Sequence, residues 1–271
     1  MVIPLNDEIV SLEHETEEFQ KTLRQLPGLP EVRLFVRAAF YNRDQPAADV
    51  FGQQWLMVFH FMSEQGLIKL RLVPVSFDNE PEDYKYLHAS RRLPAALLPD
   101  FQLAASTTDE LESLLRKFQH PDMKLPFESE EVATAELAFL DIYKSMFQFA
   151  RNNTERPLLS ALQNLEDYLE TRNTRFLLGD SLSFADCVLM PRLQHMRVVL
   201  RAVKNWDIPV TFPRVWKYVR AMYEEPTFTA CCPLDRDILM HYKENKALQI
   251  SMPTKKAMGD ALRTCPPGLK V

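Results

Sequence analysis

The stretch ADVFGQQWLMVFHFM, Ala48 to Met62, has no charged side chain after Asp49. An acid and, three residues on, Gly52 stand at its head, where the dipole and unpaired N–H groups of a helix start favour an anion. A carboxylate can accept from the main chain there as an N-cap. It cannot form a mixed disulfide, because that chemistry belongs to a thiolate. The run has three readings: a membrane span, a buried helix, or the former place of a catalytic residue. Thiols exist elsewhere, as Cys187, Cys231, Cys232 and Cys265, without Cys-x-x-Cys spacing or nearby histidines. Structural zinc and a dithiol redox motif therefore lack their ligands, and reduced thiols partly in the core are expected. His60 and His195 lie in apolar helical stretches and are expected as hydrogen-bonded core or boundary residues. No metal and no cofactor are expected. In GDSLSFADCVLM, Ser183 can accept from the N–H of Asp186, whose carboxylate reaches back to the N–H of Ser183. This is a structural capping box with Asp in place of the usual Glu.

These residues need elements to position them. The chain has 271 residues, 46% of them apolar, enough to bury a core as one large or two small domains. A net charge of −5 gives no broad attraction for phosphates, so no nucleic-acid partner is expected. MVIPLNDEIVSLEHETEEF carries acids where a secretory signal needs positive charge, which predicts cytosolic residence. An acidic leader, residues 1–30, ends in LPGLP, and the folded part is expected from about Glu31. Strand-like alternation over Val32 to Ala38 and Leu67 to Val75 flanks the uncharged helix, implying a parallel β-α-β unit. Two short strands, Ala95 to Leu98 and Phe101 to Leu103, and a capped helix, Thr108 to Phe118, complete residues 31–122. Residues 123–250 have helical spacing throughout. Leu158, Leu162, Leu165 and Leu169 form one stripe, and Val188, Leu189, Leu193, Met196, Leu200 and Val203 another. Residues 251–271 lack periodicity and are expected to be disordered.

A β-α-β-β-β-α half joined to an all-helical half resembles the glutathione transferase architecture, with a thioredoxin-like first domain. RFLLGDSLSFADCVLMPRLQHMRVV, FTACCPLDRDILMHYK and the intervening WDIPVTFPRVWKYVRAMY resemble the chloride intracellular channel family, in its invertebrate form. That resemblance implies a Cys-Pro-Phe-Ser or Cys-x-x-Cys motif at the start of the first helix, and the aligned residues here are Asp49-Val50-Phe51-Gly52. Neither position 49 nor 52 is a thiol. It also implies that Leu93-Pro94 is the cis peptide before the third strand, and that Ser106 and Thr107 stand where a γ-glutamyl group is held, without the accompanying acid. Asp49, Gly52, Leu93, Pro94, Ser106 and Thr107 thus form a degenerate glutathione site of low affinity.

For function, the resemblance implies a cytoplasmic protein that associates with membranes conditionally, with chloride transport or membrane and cytoskeleton organisation as its role. Membrane lipid, a cytoskeletal or other protein, and further copies of the chain within the membrane are the implied partners. Val50 to Met62 falls short of the about 20 apolar residues a bilayer span needs, and extending it brings in Glu64, Lys69 and Arg71. Trp55, Leu56, Val58, Phe59 and Met62 instead have the spacing of a packed helix face. Two other readings stand beside this one: an omega-like glutathione-dependent oxidoreductase or transferase, and a non-catalytic scaffold using Trp206 to Tyr223. Arg172, Arg175, Arg192, Arg197, Arg201 and Lys204 are expected on a solvated face.

Overall fold

The structure, a computed structural model, describes residues 16–40, 42–87, 90–118, 125–250 and 262–266. The chain divides into two compact units, Met1–Ala38 with Phe59–Met123, and Ala39–Val58 with Lys124–Val271.

The first unit is built on a sheet of β1 (Glu31–Arg37), β2 (Lys69–Val75), β3 (Ala95–Leu98) and β4 (Leu103–Ala105). Strand order is β2-β1-β3-β4, with β1 and β2 parallel and the other pairs antiparallel. The β1–β2 crossover contains helix α1, Val50–Glu64. Val32, Leu34, Phe35 and Val36 of central β1 are all buried, so its apolar residues run on instead of alternating. Pro74 is tolerated in β2 because that strand is an edge. Helix α2 (Glu82–Tyr86) brings Tyr84 into a core with Phe35, Val75 and Ala95, and helix α3 (Thr108–Phe118) closes the unit.

Two expectations are corrected here. Phe101 to Leu103 is not a strand: Pro99–Phe101 is a turn of 3-10 helix, and Gln102 takes a left-handed conformation before β4 begins. Pro99, with its fixed φ and no N–H, starts a turn where a strand would need a donor. Folded structure also begins before Glu31. Residues 16–25 are helical, and Phe19, 4% exposed, stacks on Phe101 with ring centroids 4.3 Å apart and meets Phe118 edge-on.

The second unit holds, with Ala39–Val58, the helices α4 (Glu130–Phe139), α5 (Ile142–Asn152), α6 (Arg156–Arg172), α7 (Phe184–Lys204), α8 (Pro213–Glu224), α9 (Pro226–Cys231) and α10 (Asp235–Glu244). Leu158, Leu162, Leu165 and Leu169 are buried along α6. Helix α7 is buried on nearly every side down to Leu200, as a central helix must be, while Val203 is half-buried.

Its start is held by one carboxylate. Asp186, fully buried, accepts from Ser183 N–H at 2.8 Å, Leu177 N–H at 3.1 Å and the Tyr218 hydroxyl at 2.9 Å, as well as from the Ser183 hydroxyl. Burial pushes this carboxyl above its ordinary value against the pull of those donors. Buried Glu166 does similar work across elements, taking the N–H groups of Arg214 and Val215, each at 2.9 Å, at the head of α8.

The expected disordered tail is corrected in part. Residues 251–261 and 267–271 lie outside the described residues, but 262–266 are bonded to α7 and α10. The expected solvated basic face is corrected at Arg197, while Arg175 and Arg201 are exposed and Arg172, Arg192 and Lys204 half-buried. Arg197 is 1% exposed, with Asp207 at 2.8 Å, the Tyr223 hydroxyl, and the Trp216 ring 4.6 Å from its guanidinium carbon. Replacing Asp186 by Ala leaves buried donors on Ser183, Leu177 and Tyr218 unpaired. The expected loss of unfolding free energy is about 3 kcal/mol, against about 1 kcal/mol for Ser183→Ala, read from urea denaturation midpoints.

Candidate functional site

The head of α1 follows from the chemistry of its first residues. Asp49 Oδ2 accepts the N–H of Gly52 at 2.7 Å, and the Asp49 carbonyl accepts the N–H of Gln53 at 2.8 Å, so the carboxylate caps the helix. Behind it within the second unit, Trp55 is buried edge-on to Phe184, with ring centroids 5.7 Å apart. Val58, Phe59 and Met62 are buried as their spacing predicts, and Leu56 is half-buried. Among the described residues no helix is long and apolar enough to cross a membrane.

Beside Asp49 the helical unit assembles a polar chain that sequence reasoning missed. His241 Nε2 lies 4.0 Å from Asp49 Oδ1. The Tyr143 and Tyr242 hydroxyls are 2.9 Å apart, and Tyr242 Oη lies 2.8 Å from His195 Nδ1. These groups are satisfied together when Tyr143 donates to Tyr242 and Tyr242 donates to neutral His195. Phe147 closes edge-on against Tyr143 and Tyr242, at 5.2 and 5.7 Å. Burial is the largest influence on the titration of Tyr143, Tyr242 and His195. It pushes the Tyr143 hydroxyl up and Tyr242 well up, and holds His195 well below the ordinary histidine value, with His241 adding to the effect. Among the described residues, the side-chain amide of Gln53, 4% exposed, and His195 Nε2 have no hydrogen-bond partner. The sequence signal for this cluster is thin: His195 is expected in or near the core, but Tyr143 comes from α5 and the adjacent His241 and Tyr242 from α10, both distant in sequence from α7. His60 differs from His195, being partly exposed, with Nδ1 3.5 Å from Glu64 Oε2.

The other site positions belong to the first unit. Leu93-Pro94 is a cis peptide leading into β3. Ala96 pairs with Ala105, so the β3–β4 hairpin brings Pro94 and Ser106 to one end. There Glu110 Oε2 accepts Ser106 N–H at 2.6 Å, Thr107 N–H at 3.1 Å and the Ser106 hydroxyl at 3.2 Å, while Glu110 N–H donates to Thr107 Oγ1 at 3.3 Å. The donors hold the Glu110 carboxyl below its ordinary value. The Glu110 carboxylate thus occupies both main-chain donors at this corner. Its signal was the Thr107-x-x-Glu110 spacing of a capping box. Ser183 and Asp186 stand apart from both groups, at the start of α7.

Three of the four thiols are shifted away from activation. Burial raises Cys187 well above the ordinary thiol value, Cys232 to about 12, and Cys265 to a lesser degree. Among the described residues no group of three His, Cys, Asp or Glu side chains could hold a metal ion. The Trp206 to Tyr223 stretch, expected as a scaffold surface, turns largely inward: Ile208, Phe212, Trp216, Tyr218, Val219 and Met222 are buried.

A sheet unit of this topology and an all-helical unit define the glutathione transferase-like class. Residues 148–221 match the glutathione S-transferase C-terminal domain family. A dehydroascorbate reductase from Chlamydomonas reinhardtii has the same fold, with a TM-score of 0.60 at 20% identity over 79% of this chain and 97% of that one. Within this class the similarity is greater to channel proteins. The chain is 32% identical to the chloride intracellular channel Clic of Drosophila melanogaster over 228 residues, 82% of this chain and 85% of that protein. The crystal structure of the CLIC homologue EXC-4 from Caenorhabditis elegans superposes with a TM-score of 0.76 at 23% identity, covering 88% of this chain and 95% of that one. The chain belongs to the chloride intracellular channel family. It is more similar to these proteins than to the reductase, and its helix α1 carries no cysteine.

The buried His195 makes stability depend on pH. Its folded value is depressed, so below the unfolded value of about 6.5 the unfolded chain binds more protons and stability falls with pH, at up to about 1.4 kcal/mol per unit. His195→Phe should flatten that slope between about pH 6.5 and 5 in chemical denaturation series, whereas wild type shows it. Asp49→Ala should cost about 1 kcal/mol at neutral pH, measured in the same way.

Proposed function

We propose that the protein works without sulfur chemistry, as a cytoplasmic chain that associates with membranes when conditions loosen its fold and contributes there to chloride permeability or membrane and cytoskeleton organisation. The observation that carries this reading is the cap at the head of α1. Asp49 and Gly52 stand where the family resemblance places a thiol, and the Asp49 carboxylate is engaged with the Gly52 N–H at 2.7 Å. A carboxylate keeps the helix start in order but forms no mixed disulfide. It also repels the carboxylates of glutathione, and Glu110 already fills the Ser106–Thr107 corner. The names of the fly and worm relatives, both chloride intracellular channels, supply the channel part of the proposal.

The membrane part rests on the same helix. Residues 50–64 bury most of their apolar side chains, and Phe51, 49% exposed at the first turn, is the apolar group they offer to the surroundings. A membrane-bound form would have to expose the rest and satisfy its backbone within an oligomer or a refolded segment. Acid loosening through His195 supplies a trigger in the expected direction, since protonation favours states in which that ring is hydrated. Liposome flotation at mildly acidic pH should recover the wild-type chain and recover Phe51→Asp several-fold less, with both near background at neutral pH. Equal recovery of the two proteins removes α1 from the mechanism. Chloride conductance in a planar bilayer, absent with heat-denatured protein, tests the channel part.

A further inference from the structure

Residues 262–266 have no regular secondary structure, and their main chain is what the helical unit grips. The Leu262 N–H donates to Asp235 Oδ1 at 2.7 Å, and the Leu262 carbonyl accepts from Gln194 Nε2 at 2.9 Å. The Thr264 carbonyl accepts from Arg197 Nη2 at 3.0 Å. In an extended chain the N–H and C=O of one residue point to the same edge, and the residue two further on repeats them. The bonds to the Leu262 N–H, the Leu262 carbonyl and the Thr264 carbonyl follow that main-chain spacing, although the readers are side chains of α7 and α10.

The readers are set in place by bonds of their own. Gln194 is 0% exposed, and its Oε1 accepts from the Tyr223 hydroxyl at 2.7 Å. Arg197, 1% exposed, donates through Nε and Nη2 to the two Asp207 oxygens at 2.9 and 2.8 Å. Neither orientation depends on the tail. The Arg263 and Thr264 side chains are exposed, while Leu262 and Cys265 are half-buried, the latter beside Arg197 and Arg220. Little of the tail's sequence is read. Were it to leave, a buried amide and a buried guanidinium N–H would lose their acceptors, which is costly unless two other carbonyls at the same spacing take their place.

We propose that α7 and α10 form a peptide-binding groove that recognises an extended segment through its main chain, with residues 262–266 as the ligand in cis. A partner protein docks there by presenting an extended segment that displaces this tail. The site is separate from the head of α1 and does not depend on the channel reading.

The test uses the full chain. A fluorescent peptide of residues 259–266 carrying Cys265→Ser is titrated into wild type and into Leu262→Pro, which removes the tail's own N–H donor and leaves the groove untouched. Freed of its cis competitor, Leu262→Pro should bind the peptide about tenfold more tightly than wild type or better, and adding Gln194→Leu should abolish the gain. In wild type, saturating peptide should speed alkylation of Cys265, followed by mass spectrometry. Equal binding by wild type and Leu262→Pro, binding by neither, or a Cys265 alkylation rate that peptide leaves unchanged overturns the proposal. The alkylation arm needs no variant, so it decides the matter even if Leu262→Pro fails to fold.

Discussion

A helix begins with N–H groups that have no partner within it, and in this chain carboxylates supply partners at one helix start after another. Asp49 serves α1, Glu110 serves α3, Asp186 serves α7 and Glu166, reaching across from α6, serves α8. Each carboxylate also lies at the positive end of a helix dipole. The consequence for function is direct. The donors at the starts of α1 and α3 are filled by acids of the chain itself.

The helical unit applies the same logic deeper in its core. Asp186 ties the start of α7 to Leu177 and to Tyr218 of α8, and Arg197 ties the far half of α7 to Asp207, Tyr223 and the 262–266 segment. Helix α7 is thus anchored at both ends by buried charge whose donors and acceptors come from distant elements. Such networks hold their members in one arrangement when every member is satisfied. Among the described residues, buried polar atoms without a hydrogen-bond partner include the Gln53 amide and His195 Nε2, near the chain of tyrosines and histidines beside Asp49, and Trp216 Nε1 beside Arg197.

Local features were legible in the sequence. The alternation around β1 and β2, the leucine stripe of α6, the Ser183–Asp186 box and a helix-capping acid at position 49 each follow from spacing within a few residues. What escaped depends on distance. Glu166 caps a helix that begins well beyond its own, and nothing near it predicts that use. Arg197 reads as one more surface arginine until Asp207, Tyr223 and Thr264 are brought around it. The helix over residues 16–25 is largely polar, and Phe19 is its buried anchor on Phe101, too sparse a pattern to mark an element. Of the candidate site, the absence of a thiol at positions 49 and 52 was plain, whereas the occupation of Ser106 and Thr107 by Glu110 required the fold.

The central claim is that a carboxylate has taken over the structural half of a thiolate's task at the head of α1 and left the chemical half undone. Replacing Asp49 by Cys and following both unfolding free energy and glutathione adducts by mass spectrometry tests it most directly. The account predicts a folded protein within about 1 kcal/mol of wild type that acquires an adduct at position 49. A folded variant whose new thiol stays inert towards oxidised glutathione would contradict it, because the head of α1 would then not be the place where sulfur chemistry was given up.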